Sequence, residues 1–371
     1  MKVQIPFYPL KEYMETHKNW ITDSINDVID SGYAIGGPEV EKFESAFANF
    51  TNSKHCIGVA NGLDAIRLAL QALNIGPGDE VIVPAFTFMA TWLAVIQVGA
   101  KPIPVDVSDS TAALDLANLP ISEKTKAVIF VHLFGIPTDL TALASHLKAN
   151  NIYLIEDCAQ AQGARTRGKH VGTFGDAGCF SFYPTKNLGA FGDAGAVITN
   201  DDSLAEKIKS LRSYGVGKTK YDHVNIGVNS RLDPIQAGFL RRRLDSLDLE
   251  NLMRRELASR ISDSLLSSGI MAPLSRETEG NDVFHLFVAI SKVKRSQIQE
   301  QLLDLGIQTD IHYPIAIHKQ KCFNTPEFHY LANLKFPVSE YLSEKVLSLP
   351  NYPWMSRESS QYLVNSIASM E

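Results

Sequence analysis

The apolar run IYLIED (152–157) ends in two adjacent carboxylates, Glu156 and Asp157, and a lysine, Lys186, follows in the glycine-rich stretch SFYPTKNLGAFGDAG. On an extended strand, neighbouring side chains point to opposite faces, so only one acid of the pair can face a given ligand. A primary amine and a carboxylate sharing one cavity suit a pyridoxal ring. The amine forms a Schiff base with the aldehyde, and the carboxylate keeps the pyridine nitrogen protonated, so that the ring can take up electrons from a breaking C–H bond. Asp157 is the expected ring partner, with Glu156 turned away. The same cofactor needs an anion cradle. Asn61 and Gly62, in VANGLDAIRLAL, stand just before a helical pattern, where free backbone N–H groups and the helix dipole favour a phosphate. Ser181 can add a hydroxyl, and Phe86 or Phe88, in PAFTFMAT, can stack on the ring. Gly189, Gly192 and Gly195 predict tight backbone turns around a ligand. Taken singly, these features have plainer readings: a solvated lysine, a capping acid, an Asn-Gly turn, a core aromatic.

The elements that must position these residues follow from the hydrophobic pattern. Short apolar runs at CIGVA (56–60), EVIVPAF (80–86), KAVIFVHLFG (126–135), IYLIED (152–157), GCFSFY (178–183) and AGAVITN (194–200) alternate with helical patterns. Near-continuous apolar strands between helices predict a mostly parallel sheet covered on both faces. Ligands in such sheets sit beyond the carboxyl ends of the strands, which is where the chemistry-bearing residues cluster. In SGYAIGGPEVEKFESAFANF, Val40, Phe43, Phe47 and Phe50 stand at helical spacing after a glycine turn. From about residue 235, QAGFLRRRLDSLDLENLMRRELASRISDSLLSSG reads as long, charge-laced helix. It leads to the strand-like VFHLFVAI (283–290), the helix RSQIQEQLLDLG and the strand-like IQTDIHYP. The expected division is a large α/β domain over 1–240 and a smaller α/β domain over 241–371.

The chain has 371 residues, 45% hydrophobic, with a net charge of -6, which supports a sizeable core and gives no basic nucleic-acid footprint. The opening MKVQIPFYPL does not read as a signal peptide, and no apolar run is long enough to span a bilayer. The four cysteines form no C-x-x-C pair, so no zinc or other metal site is expected, and a reducing cytoplasm is the expected setting. A G-x-G-x-x-G between strand and helix is absent, which argues against a nicotinamide enzyme.

The strings EDCAQAQGA, FSFYPTKNLGAFGDAGAVITN and GVNSRLDPIQAGFL together resemble the DegT/DnrJ/EryC1/StrS sugar aminotransferases, and the likeness runs from SGYAIGGPEVEKFE to HYPIAIHKQ. The resemblance implies a fold type I, aspartate-aminotransferase-like architecture, pyridoxal 5'-phosphate as cofactor, and a homodimer with shared active sites. It assigns Lys186 as the Schiff-base lysine, Asp157 as the pyridinium partner, Gln160 as a contact to the ring or its phenolic oxygen, and Phe88 as the stacking aromatic. It gives the phosphate to the Gly62 and Leu63 backbone, the Ser181 hydroxyl and Asn229 of the other subunit.

Within that family, NGLDA and NSRLD look more like members that aminate C3 of a nucleotide-linked keto sugar, and most like dTDP-3-amino-3,6-dideoxyhexose transaminases. The implied donor is L-glutamate, and the product an amino sugar for a surface glycan such as O-antigen lipopolysaccharide. A pyrophosphate needs cationic or N–H partners, and GVGKTKYDH supplies Lys218, Lys220 and Tyr221, with Arg231 nearby. Tyr33, Tyr183, His312, Tyr313 and His318 are candidate contacts to the nucleotide-linked hexose. The alternatives are a C4-specific aminotransferase, a dehydratase or deoxygenase of the same fold, and a non-catalytic regulator. Lys186 argues against the deoxygenase reading, since some relatives of that kind carry histidine there, and Lys186, Asp157 and Ser181 together argue against the regulator.

Overall fold

The structure, a computed structural model, describes residues 5–117, 119–274 and 281–370. Each of the six apolar runs becomes a strand: β1 (His55–Val59), β2 (Glu80–Pro84), β4 (Thr125–Val131), β5 (Tyr153–Asp157), β8 (Ala177–Ser181) and β9 (Gly195–Thr199). They are joined by β3 (Lys101–Val105) in a seven-stranded sheet of order β1-β9-β8-β5-β4-β2-β3. A short hairpin, β6 (Arg165–Thr166) and β7 (Lys169–His170), lies between β5 and β8 in sequence. β9 pairs antiparallel with both β8 and β1, while the pairs β5–β8, β4–β5, β2–β4 and β2–β3 are parallel, so β9 alone runs against the others.

β3 has no counterpart in the apolar pattern, because Pro102 and Pro104 disguise it. The strand survives because it is the sheet edge and both prolines fall on one parity. Their missing N–H groups therefore face away from β2, while Lys101 N–H donates to the Asp79 carbonyl at 2.9 Å.

Helices cover the sheet. The face built by Ile57, Val83, Ile129 and Val197 packs against the helices Gly62–Ala72, Met89–Gln97 and Asp202–Leu211. On the other side, Val40, Phe43 and Phe47 of the helix Pro38–Thr51 pack on Phe180, Phe182 and Ile198, with Phe50 partly buried beside them. The long charged helix divides into Pro234–Leu244 and Leu247–Ser268. Ser246 stands at the break and donates its hydroxyl to the Arg243 carbonyl at 3.0 Å, taking a backbone acceptor from the ladder. The expected domain boundary at 240/241 falls inside the first of these helices, which packs against the helices Lys18–Ser31 and Pro38–Thr51.

A second, antiparallel sheet holds β10 (Met271–Pro273), β11 (Phe287–Ser291) and β12 (Val346–Leu349). Its alternation sets its two faces. Phe287, Ala289, Leu347 and Leu349 pack with Ile261 and Leu265 of the Leu247–Ser268 helix and with Leu363 and Ile367 of the helix Arg357–Ala368. Val288 and Val346 turn the other way, onto Phe86, Val131 and Phe134 at the carboxyl edge of the large sheet. IQTDIHYP forms no continuous strand. Ile307 bridges to Ile5 and Asp310 to Ser348, so its backbone partners are split between two segments, and the chain crosses over the large sheet's edge carrying His312 and Tyr313.

Candidate active site

A cavity of about 540 Å³ opens where the large sheet's strands end. Its lining follows β1 (Asn61, Gly62, Leu63), β2 (Thr87, Phe88, Met89), β4 (Val131, Leu133), β5 (Asp157, Gln160) and β8 (Ser181, Tyr183, Lys186). His285, His312 and Tyr313 complete the wall from the other sheet's side. This is the position that the parallel order of strands dictates, since each carboxyl end hands its loop to the same edge.

Asp157 is the last residue of β5 and is buried. Its Oδ2 accepts from the Thr91 hydroxyl at 2.8 Å and its Oδ1 from the Ala159 N–H at 3.1 Å. Burial pushes its carboxyl up, against those two donors and the Lys186 charge. Glu156 points to the opposite face, with a different task. Its carboxylate accepts from the N–H groups of Gly172 at 2.7 Å, Phe174 at 2.7 Å and Gly175 at 2.8 Å, and from His132 Nε2 at 3.0 Å. Four donors fill this buried group and tie loop 172–175 under the sheet. It is a structural clamp with no access to the cavity.

Lys186 sits in a tight loop. Its N–H donates to the Tyr183 carbonyl at 2.8 Å, and Ala190 N–H reaches back to the Phe182 carbonyl at 2.7 Å. Burial lowers the Lys186 amine from 10.5 to about 8, with the Asp157 charge acting in the opposite sense. The free amine is thereby brought within reach of neutral pH. Gly189 and Gly195 are required by close approach to backbone and not by turn conformation, since none of Gly189, Gly192 or Gly195 has a positive φ. A Cβ on Gly189 would lie 2.3 Å from the Pro184 carbonyl oxygen, one on Gly195 2.5 Å from that of Asn61, and one on Gly192 3.2 Å from Gln236.

At the other end of the cavity, the helix Gly62–Ala72 begins with Asn61 as its cap, whose Oδ1 accepts from Asp64 N–H at 2.9 Å. The N–H groups of Gly62 and Leu63 precede the first intrahelical bond and are free for an anion. A Cβ on Gly62 would stand 2.6 Å from that of Ser181, so the helix start and the Ser181 hydroxyl share one small cradle that glycine keeps open. Gln160 is held between the Phe134 N–H, which its Oε1 accepts at 2.7 Å, and the Tyr313 hydroxyl, to which its Nε2 donates at 3.0 Å. Phe88 presents a largely exposed ring 5.7 Å from that of Tyr313, whereas Phe86 is buried in the core. An anion cradle, an exposed ring, and a buried carboxylate and amine in one cavity fit pyridoxal phosphate: Gly62, Leu63 and Ser181 could hold its phosphate and Asp157 its ring nitrogen.

Other candidates lie elsewhere. Tyr33, Lys220, Tyr221 and Asn229 are exposed and outside the cavity lining. Arg231 places its guanidinium over the Tyr214 ring, 5.7 Å from the centroid. His318 is buried against Phe336 and bonded through Nε2 to Glu340 at 3.2 Å, which makes it a packing residue of its 3-10 turn and takes it out of the cavity. Conversely, the cavity recruits residues that spacing did not flag. Thr91, in the first turn of the helix Met89–Gln97, lies behind the lining and orients Asp157, and His285, which lines the cavity, sits inside the strand-like VFHLFVAI. Their only sequence signal is a polar residue within an apolar run.

Residues 15–368 match the DegT/DnrJ/EryC1/StrS aminotransferase family. The erythromycin biosynthesis sensory transduction protein EryC1 of Saccharopolyspora erythraea is 43% identical over 369 residues, covering 98% of this chain and 99% of that one. The dTDP-3-amino-3,6-dideoxy-alpha-D-galactopyranose transaminase of Aneurinibacillus thermoaerophilus is 43% identical over 365 residues, 98% of each chain. The crystal structure of S. venezuelae DesV in complex with a ketimine intermediate is 39% identical and superposes with a TM-score of 0.92 over 98% of each chain.

Proposed function

The chain belongs to the DegT/DnrJ/EryC1/StrS aminotransferase family, and from that premise we propose that it moves an amino group from L-glutamate to C3 of a nucleotide-linked 3-keto-6-deoxyhexose, with dTDP as the nucleotide. It is a pyridoxal-phosphate-dependent aminotransferase of fold type I. The observation that carries the reading is the meeting of Lys186 and Asp157, from two separate strand ends, in the cavity that also holds the Gly62–Ser181 cradle. The C3 position and the dTDP nucleotide take their support from the Aneurinibacillus transaminase. EryC1 carries a regulatory name, but the gathering of Lys186, Asp157 and the Gly62–Ser181 cradle in one cavity favours catalysis.

When bound, pyridoxal phosphate supplies an aldehyde for the lysine and a ring that takes up the electron pair of a breaking C–H bond. The chain's own residues do the rest. Gly62, Leu63 and Ser181 would hold the cofactor's phosphate, Phe88 would stack on its ring, and Gln160, bonded to Tyr313, would contact the ring or its phenolic oxygen. Asp157, oriented by Thr91 and the Ala159 N–H, supplies a negative charge whose burial cost falls once a cation faces it. The Lys186 Nζ, near 8, both takes and returns a proton close to neutral pH. Lys220, Tyr221 and Arg231 meet the pyrophosphate, and Tyr33, Tyr183, His312 and Tyr313 the sugar. Asn229 reaches the phosphate of a second subunit in a homodimer, and the amino sugar enters a surface glycan.

The test is a panel of dTDP- and UDP-linked 3-keto and 4-keto hexoses with L-glutamate, followed by determination of the carbon that bears nitrogen. Amination at C3 of the dTDP sugar is expected, while nitrogen at C4 would make the enzyme C4-specific. Borohydride reduction of the yellow protein, with peptide mapping, is expected to fix the pyridoxyl group to Lys186.

A further inference from the structure

We infer that Tyr13 and Arg243 are positioning residues for Lys186: the hydroxyl of one and the guanidinium of the other hold the lysine's own loop by its backbone carbonyls, and so fix where the amine enters the cavity. The inference rests on the reading of Lys186 as the reactive lysine.

Each link of this clamp is a hydrogen bond whose direction is forced. The Gly189 carbonyl can only accept, so the Tyr13 hydroxyl places its one proton there, at 2.9 Å. A guanidinium can only donate, so Arg243 Nη1 donates to the oxygen of that hydroxyl. Arg243 Nη2 donates to the Asn187 carbonyl at 3.1 Å and to the Glu250 carboxylate. Two carbonyls that follow Lys186 within three residues are thereby tied to one arginine, directly at Asn187 and through Tyr13 at Gly189. The loop's own backbone bonds, from Lys186 N–H to the Tyr183 carbonyl and from Ala190 N–H to the Phe182 carbonyl, leave these two carbonyls to the side chains.

Tyr13 and Arg243 are both buried. Burying a guanidinium is unfavourable unless its donors are met, and an apolar side chain would fill the same space without that cost. Here the partners that meet them are one carboxylate and the lysine loop. Tyr13 is itself fixed. It sits in the helix Leu10–Thr16, with its ring 4.7 Å from that of His17 and 5.3 Å from that of Trp354. Upstream, Ile5 is pinned by bonds of 2.9 Å to Gly306 and Gln308. The loop therefore takes its position from the N-terminal segment and from the helix Pro234–Leu244, neither of which lines the cavity. The titratable groups around Lys186 are Asp157 from β5, and His285 and His312 from the other sheet's side, all outside the clamp. With the loop held, the amine stays buried; a loosened loop lets water reach it.

The experiment uses the full-length protein saturated with pyridoxamine phosphate, which leaves the Lys186 amine free. Brief acetic anhydride pulses across pH, read by peptide mass spectrometry, give the Lys186 titration without an activity measurement. A wild-type midpoint near 8 is expected. Tyr13→Phe keeps the ring and removes both bonds of the hydroxyl. Because burial is what lowers the amine, a loosened loop raises the midpoint by about half a unit or more toward 10.5. Arg243→Lys keeps a charge beside Glu250 but gives up the fork that spans three partners, and moves the midpoint in the same direction. Leu363→Ala, in the core under the smaller sheet, is the control: it lowers the melting temperature and leaves the midpoint near 8. An unchanged midpoint in either clamp variant, or an equal rise in Leu363→Ala, overturns the inference. A wild-type midpoint at the ordinary lysine value overturns the reading of Lys186 itself, and the inference with it. Should the clamp variants not fold, hydrogen exchange of the wild-type protein decides the matter: Lys186 and Ala190 amides that exchange as slowly as those of β8 support the clamp, and faster local exchange overturns it.

Discussion

Several polar residues of the Lys186 site are buried and hydrogen-bonded, whereas those of the 214–231 segment stand largely in solvent. Asp157, Gln160 and Asn187 each have fixed hydrogen-bond partners and are at most 6% exposed. Tyr221 is 83% and Ile226 92% exposed. One chain therefore holds Asp157, Gln160 and Asn187 rigidly while leaving the proposed recognition residues of the 214–231 segment in solvent. The two demands differ physically. Proton transfer needs geometry fixed before the substrate arrives, while binding a nucleotide can be completed by surfaces that come together later. The exposed apolar residues Val224 and Ile226, next to Asn229, are what a second subunit would cover in the homodimer proposed above.

The contrast can be broken by substitution, and the largest effect belongs at Lys186. Lys186→Ala should lower turnover by about ten-thousandfold or more, the upper range for loss of an acid–base group, as steady-state assays would read. Mixing it with Asn229→Ala protomers should restore activity in about a quarter of the sites if protomers exchange at random in a symmetric dimer. No recovery would place Asn229 in its own chain's site.

Next in size is the β5 pair. Asp157→Asn should slow single-turnover conversion of the cofactor by glutamate by at least about a hundredfold, about 2.7 kcal/mol of barrier. Glu156→Gln should leave that rate within about threefold. It should instead lower folding stability by about 2 kcal/mol, since one carboxylate oxygen facing backbone N–H groups becomes a donor. Thermal melting of the two variants separates the effects, and a slower half-reaction in Glu156→Gln would assign the ring nitrogen to the other acid.

Gly62→Ala should weaken cofactor binding about tenfold, about 1.4 kcal/mol, by forcing the helix start away from Ser181; equilibrium dialysis reads it, and unchanged affinity would remove the phosphate from this cradle. The smallest effects belong to the exposed segment. Lys220→Ala and Tyr221→Phe should raise KM for the nucleotide sugar by about three- to tenfold with kcat unchanged, the signature of lost uniform binding. A fall in kcat would mean that the loop acts on the chemistry.

Much of this molecule was determined locally. Apolar runs specified six strands of the large sheet, and strand alternation alone separated Asp157 from Glu156, because side-chain direction has a period of two whatever the strand packs against. The positions of Lys186 and Gly62 after strands followed from the same pattern, since parallel strands deliver their loops to one edge. Tertiary structure decided what depends on partners distant in sequence. β3 exists because its prolines fall on the free side of an edge, a fact of register. Gly189 and Gly195 are needed for the backbone carbonyls that pack against them, and not for their own φ. His318 leaves the cavity because Glu340, distant in the chain, holds it. His285 enters the cavity because Asn187, nearly a hundred residues earlier, binds its ring. A hydrogen bond between such residues leaves no periodic trace, so only the folded chain could reveal it.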